Sequence, residues 1–160
     1  NGTIVIGDTT HEVEGSGWYD HEFGKPAVNP NEKIEVNLVH DIAWNWISLQ
    51  LSNGQQVSVY DLFDNNDGMK SRGRWAVIIN ENGVSTSTKD FVFKPLKNWT
   101  SSKTFTTYPI TWHLQIPELR IDLEVEAAFP HQEFITIISK PAFWEGRVNA
   151  KGVFGHDNIT

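Results

Sequence analysis

Ile110-Thr111-Trp112-His113-Leu114-Gln115-Ile116-Pro117-Glu118-Leu119-Arg120-Ile121-Asp122-Leu123-Glu124-Val125-Glu126 is the stretch that decides the fold class. Ile110, Trp112, Leu114 and Ile116 alternate with Thr111, His113 and Gln115. Leu119, Ile121, Leu123 and Val125 then alternate with Arg120, Asp122, Glu124 and Glu126. Successive side chains of a strand point to opposite faces, so each half reads as a strand with one buried and one wet face. Pro117-Glu118 stands between them, and the pair reads as a hairpin.

The same period-2 pattern extends outward. Trp44 to Leu51 places Asn45, Ile47, Leu49 and Leu51 on one face and Trp44, Trp46, Ser48 and Gln50 on the other. Asn53-Gly54 follows, a strong hairpin signal, and Val57 to Leu62 returns. Asn82-Gly83 closes a third hairpin after Trp75–Ile79. Thr3–Ile6, His11–Tyr19, Ile34–His40, Asp90–Phe93, Phe134–Ile138 and Trp144–Val153 are further strand candidates. Helical periodicity is nearly absent. About ten short strands separated by turn signals imply an all-β fold, an antiparallel β-barrel of about 8–10 strands or a sandwich. A barrel of that size holds one small ligand. Residues 1–160 read as one domain, with no repeat and no linker. Pro26–Lys33 and the tight polar run Asp64–Gly68 read as loops.

Composition narrows the function. Thirteen basic residues against twenty acidic ones give a net charge of −7. A nucleic-acid binder needs a basic face, so no nucleic-acid partner is expected. Lys70, Arg72 and Arg74 form a local basic run that reads as a solvated strand face. No apolar run approaches the roughly 20 residues of a membrane helix. The absence of cysteine removes disulfides, thiolate nucleophiles and thiolate metal sites. The six histidines show no His-x-x-His spacing, and Asp64–Gly68 lacks the calcium-loop pattern, so no metal is expected. No phosphate loop and no Gly-x-Ser-x-Gly elbow is present. Asn1, Asn98 and Asn158 each begin an Asn-x-Thr sequon.

Trp18, Trp44, Trp46, Trp75, Trp99, Trp112 and Trp144 are spread over the chain. Each can serve as core filler; as a set they suit the walls of a large apolar cavity. The densest polar segment is Gly17-Trp18-Tyr19-Asp20-His21-Glu22-Phe23-Gly24. It reads either as a strand end with solvated charges or as a carboxylic acid held between aromatics. Burial there would raise the pKa of Asp20 and let it donate a proton near neutrality. Phe143-Trp144-Glu145-Gly146-Arg147 is the second such segment. Glu145 and Arg147 share a strand face there, as a structural ion pair or as a charge that orients Asp20.

The run Gly17–Gly24 resembles the Asp-His-Glu segment of the carotenoid 1,2-hydratase-like, lipocalin-like family. Trp44-Asn45-Trp46-Ile47-Ser48-Leu49-Gln50-Leu51 resembles its Trp-x-Trp-[Phe/Ile]-Ser-Leu-Gln-Leu strand. Trp99-Thr100-Ser101 ahead of Tyr108-Pro109-Ile110-Thr111-Trp112, and Phe143-Trp144-Glu145-Gly146 ahead of Val148 and Gly152, follow in the family's order. The resemblance covers about residues 10 to 160 and implies a lipocalin-like barrel corresponding to the second of the family's two β domains. It also implies cofactor-independent chemistry on long, unsaturated apolar molecules. Kievitone hydratase and the decalin-forming fungal Diels–Alderases are among the family's activities. Many relatives carry the description of secreted hydrolases, so a secreted or periplasmic setting is the expectation. The family usually continues past the position of Thr160 into a closing strand, so a second chain or domain is expected to complete the barrel and the site.

On this reading Asp20 is the proton donor, and His21 or Glu22 positions the water. Trp18, Tyr19, Trp44, Trp46, Trp112, Trp144 and Glu145 would surround the ligand, a carotenoid, terpenoid or other polyene. A carrier without chemistry and a pericyclase cavity are the alternatives. Neither needs an acid.

Overall fold

The computed structural model describes residues 1–20, 42–136 and 142–160. Residues 21–41 and 137–141 lie outside it, and with them His21, Glu22, the Pro26–Lys33 loop, the Ile34–His40 strand and the end of the Phe134–Ile138 strand. The chain divides into two compact units, Asn1–Val39 and His40–Thr160. In the first, β1 (Gly2–Ile6) and β2 (Thr9–Val13) form an antiparallel hairpin around Gly7, whose φ of 60° suits a glycine. The expected strand over His11–Tyr19 stops at Val13. Gly15 and Gly17 interrupt the β-forming run beyond it.

The second unit is antiparallel throughout, and the all-β expectation holds. One sheet has the order β3-β4-β5-β6, from β3 (Ile42–Gln50), β4 (Gln56–Asp64), β5 (Lys70–Ile79) and β6 (Ser85–Thr88). Asn53-Gly54 and Asn82-Gly83 make the expected hairpin turns, with φ of 79° at Gly54 and 78° at Gly83. Asn80 fastens the second turn: its side-chain oxygen accepts from the N–H groups of Asn82 and Val84. Asp64–Gly68 is a 3-10 turn over Asn65–Asp67. Buried Asp64 caps it by accepting from Asn66 N–H, and Arg72 Nη2 donates to the same carboxylate at 2.7 Å.

The other sheet has the order β13-β12-β9-β8-β7. It contains β7 (Val92–Thr100), β8 (Thr107–Ile116), β9 (Ile121–Ala127), β12 (Val148–Phe154) and β13 (Asp157–Ile159). Pro117–Leu119 forms a 3-10 turn, so β9 begins two residues after Leu119, where the pattern alone had begun it. β7 extends well past Phe93 as an edge strand with two register shifts around Pro95–Asn98, where a proline is tolerated. β10 (Glu133–Phe134) and β11 (Phe143–Trp144) make a separate two-stranded ladder. Glu145-Gly146-Arg147 then separates β11 from β12.

Ile47, Leu49, Val57, Val59, Ala76 and Ile78 from the first sheet meet Leu114, Ile116, Ile121, Leu123 and Val125 from the second in one core. Each fully buried aliphatic side chain there contributes about 1.5–3 kcal/mol relative to exposure. Among the described residues no ladder joins the two sheets into a closed ring. Between β3 and β12 runs a cleft of about 190 Å³, lined by Ser48–Leu51, Val148–Ala150 and Ile159–Thr160. Its lower end is held by side chains. Asn53 Nδ2 donates to Asp157 Oδ2, and Thr160 N–H donates to Ser52 Oγ.

Candidate functional site

The core face of the first sheet changes character along its strands. Ile47, Val59 and Ala76 form one cross-strand row, and the next row on the same face is Asn45, Asp61 and Arg74. A polar row on a core-facing surface needs partners. Arg74 finds two in Phe91: Nη2 donates to its carbonyl oxygen at 3.0 Å, and the guanidinium lies 4.1 Å from its ring centroid. Arg74 Nε is 3.9 Å from Asp61 Oδ1, too far for a direct hydrogen bond. Nε is buried and hydrogen-bonds to nothing among the described residues. The side chains of Asp61 and Arg74 are 22% and 34% exposed, so this end of the inter-sheet space is open to solvent. From the opposite sheet, Phe93 and Trp112 stack with centroids 4.3 Å apart and pack on the same core. A charged, hydrogen-bonding row thus stands on the core face of the first sheet, beside Phe91.

A second polar cluster lies on the second sheet. Glu133 on β10 accepts hydrogen bonds from Ser101 Oγ at 2.6 Å, Tyr108 Oη at 2.9 Å and Thr104 Oγ1. Burial raises its pKa, but the three hydroxyls and the Lys103 charge outweigh burial and hold it below the usual carboxylate range. Burial first, and then the carboxylate it serves, push the Tyr108 hydroxyl above its ordinary value. Ser101 also accepts from the N–H groups of Lys103 and Thr104. Trp99 lies beside this cluster, stacked on Tyr108 and edge-on to His131. An ionised carboxylate with its acceptors already engaged ties the 101–106 loop to β10.

The sequence-predicted residues are distributed over several places. Trp18, Tyr19 and Asp20 follow β2 in the first unit and are exposed. Trp44 and Trp46 project from the face of the first sheet opposite its core. There Trp46, Tyr60 and Trp75 form a row across β3, β4 and β5, with ring centroids 6.0 Å and 5.2 Å apart. Trp112 packs on the core. Trp144 Nε1 donates to Pro130 O. Glu145 is exposed, and its N–H donates to Gln132 O. It makes no ion pair with Arg147 among the described residues. Arg147 is held through its backbone instead, its N–H donating to Gln132 Oε1 and its carbonyl accepting from Ala128 N–H and Gln132 Nε2. The basic run is more than a solvated face, because Arg72 pairs with Asp64 and Arg74 lies over Phe91.

Residues 1–158 match the AttH-like family model. The chain belongs to the AttH-like family. Two solved structures share its fold. An AttH protein of Nitrosomonas europaea is 23% identical with a TM-score of 0.59; the match covers 67% of this chain and 33% of that one. Kievitone hydratase of Nectria haematococca is 20% identical with a TM-score of 0.61, covering 75% of this chain and 36% of that one. The chain therefore spans about a third of the length of either structure. No curated protein matches it.

In this AttH-like chain two polar clusters escaped the sequence reading. Ser101 and Tyr108 belong to family-like landmarks, but Glu133 lies more than twenty residues beyond both, so nothing local joins them. Asn45, Asp61 and Arg74 become visible as one row only when the registers of β3, β4 and β5 are known. Among the described residues, no group of three or more His, Cys, Asp or Glu side chains is arranged to hold a metal.

Proposed function

We propose that this AttH-like chain is the apolar-ligand-binding part of a hydratase-type protein that adds water to an isolated carbon–carbon double bond without a cofactor. The observation that carries the reading is the Asn45–Asp61–Arg74 row on the core face of the first sheet, with Arg74 over the Phe91 ring. Such a site offers an apolar molecule a greasy wall and a few fixed polar groups, the usual make-up of a small-molecule site. Family membership and the fold shared with kievitone hydratase support it.

The chemistry requires an acid, because water does not add to an unactivated alkene. In the proposed step a carboxylic acid gives its proton to one alkene carbon. Water then bonds through oxygen to the other, and the proton that water releases returns to a carboxylate. Asp20 is the proposed donor, with His21 or Glu22 placing the water. General acid–base help of this kind contributes about 10²–10⁴-fold, so electrostatic stabilisation of the cation must supply the rest. Trp112, which packs on the core, is the proposed ligand contact, and an acyclic carotenoid, terpenoid or prenylated phenol is the proposed substrate class.

The test is incubation of the wild-type chain and Asp20→Asn with an acyclic polyene and a prenylated phenol, read by mass spectrometry. The wild type gains one water on the substrate, whereas Asp20→Asn still binds but yields no product. Product from Asp20→Asn overturns the acid assignment. Tight binding by the wild type without product makes the chain a carrier.

A further inference from the structure

We propose that the edge of β12 at Val148 and Ala150 is an acceptor for one added strand, an extended segment of a partner polypeptide with apolar residues at alternate positions. The segment lies in the cleft between β12 and β3. This interaction is independent of the proposed ligand chemistry.

In an antiparallel ladder, every second residue turns its N–H and C=O groups to the same neighbour. Ala128 N–H donates to Arg147 O at 2.9 Å and continues the β9–β12 register, so Asn149 and Lys151 turn their backbone groups toward β9. Val148, Ala150, Gly152 and Phe154 turn theirs the other way. β13 stands opposite Gly152 and Phe154, through Ile159 and Asp157. It does not reach Val148 or Ala150, whose outward N–H and C=O groups meet no partner among the described residues. Backbone groups left so are a template for another strand. Across the cleft, Leu51 N–H donates to Gln55 O, which gives Ser48 the parity that turns away from β4. β3 is itself the end strand of its sheet. The space between the two edges, about 190 Å³, is walled by Val148–Ala150 and Ser48–Leu51. That is room for roughly a dozen waters, and so for a short stretch of chain.

The neighbours set the chemistry of the segment. Val148 and Ala150 pack on the core, as Ile159 does from β13. Residues of the added strand opposite them share that face and are apolar. Those between them, opposite Asn149 and Lys151, face outward and are polar. Main-chain hydrogen bonds supply affinity and the alternate side chains supply selectivity. A hydrocarbon fills the same space but cannot pair with the backbone of Val148 and Ala150.

The experiment is titration of the full chain with acetyl-Lys-Thr-Val-Thr-Val-Thr-Lys-amide, read residue by residue as amide hydrogen exchange by NMR. Exchange at Val148 and Ala150 is expected to slow about tenfold or more at saturation, while exchange on β6 stays unchanged. Methylating the two valine nitrogens of the peptide keeps its side chains and removes the donors that face β12. That peptide should give no protection. Ala150→Pro removes an N–H that the β9 ladder does not use, and should weaken binding of the unmethylated peptide about tenfold. No protection at Val148 and Ala150 with millimolar peptide overturns the strand acceptor. Equal protection by the methylated peptide does the same, because the contact is then side-chain burial alone. Protection that grows with chain concentration in the absence of peptide puts a second copy in the cleft and overturns the partner segment. The two peptides are compared on unaltered chain, so a variant that fails to fold does not shelter the proposal.

Discussion

Tyr108 Oη donates to Glu133 Oε1 over 2.9 Å and so fastens the start of β8 to β10. The two groups shift in opposite directions, Glu133 downward and Tyr108 upward, and each direction sets a pH limb of stability. A carboxyl lowered in the folded state stabilises above its unfolded pKa, about 4.3. That contribution disappears as pH falls through the folded value. A phenol raised in the folded state stabilises below about pH 10 and loses this as pH rises through its folded value. Urea titrations from pH 3 to 11 should show Glu133→Gln flattening the acid limb and Tyr108→Phe the alkaline one. Identical limbs in wild type and both variants would remove this account of the cluster.

Gly152 has φ of 143°, and a Cβ there would stand 2.1 Å from Asp122 O. Backbone on β9 cannot yield as a flexible side chain can. Gly152→Ala should therefore destabilise by about 2–5 kcal/mol, from strain and overpacking together. Gly15→Ala, which meets nothing within 4 Å, should stay within about 0.5 kcal/mol. Denaturant midpoints of the two variants check the contrast.

Asp64 is 1% exposed, caps the Asn65–Asp67 turn and receives Arg72. Removing it leaves an N–H and a guanidinium without their shared acceptor. Asp64→Ala should cost about 2–4 kcal/mol by chemical denaturation. A loss below about 0.5 kcal/mol would show that the turn holds without its cap.

Leu114 is fully buried and Trp44 is 65% exposed, although both are large apolar residues on strands. Leu114→Ala should lose about 2–5 kcal/mol. Trp44→Ala, on the face opposite the core, should change stability by about 0.5 kcal/mol or less and leave ligand binding unchanged. Thermal melts and titrations separate the two effects.

The strands that sequence revealed are those whose two faces see different surroundings. Leu114, Leu123 and Val125 are buried while Asp122 faces water, and that asymmetry is written into residues 110–126 as alternation. β6 (Ser85–Thr88) and β13 (Asp157–Ile159) are too short and too polar to carry it, and register with their neighbours supplies what propensity does not. Lys94–Thr100 is mostly exposed on an edge, so its sequence has little burial to record. Alternation puts Trp44 and Trp46 on one face of β3, but alternation alone does not say which face meets the core. The polar row of Asn45, Asp61 and Arg74 was hidden for a related reason. Each residue looks like an ordinary solvent-side polar group until Ile47, Val59 and Ala76 fix the direction of its face.

The cleft between β3 and β12 has a mechanical meaning. Because no ladder hydrogen bond crosses it among the described residues, opening it breaks no strand pairing, only side-chain contacts among apolar groups such as Leu49 and Val148 and polar ones such as Gln50 and Asn149. The Asn53–Asp157 and Ser52–Thr160 contacts are exposed hydrogen bonds that bridge the cleft. Opening along this line would cost no strand pairing among the described residues.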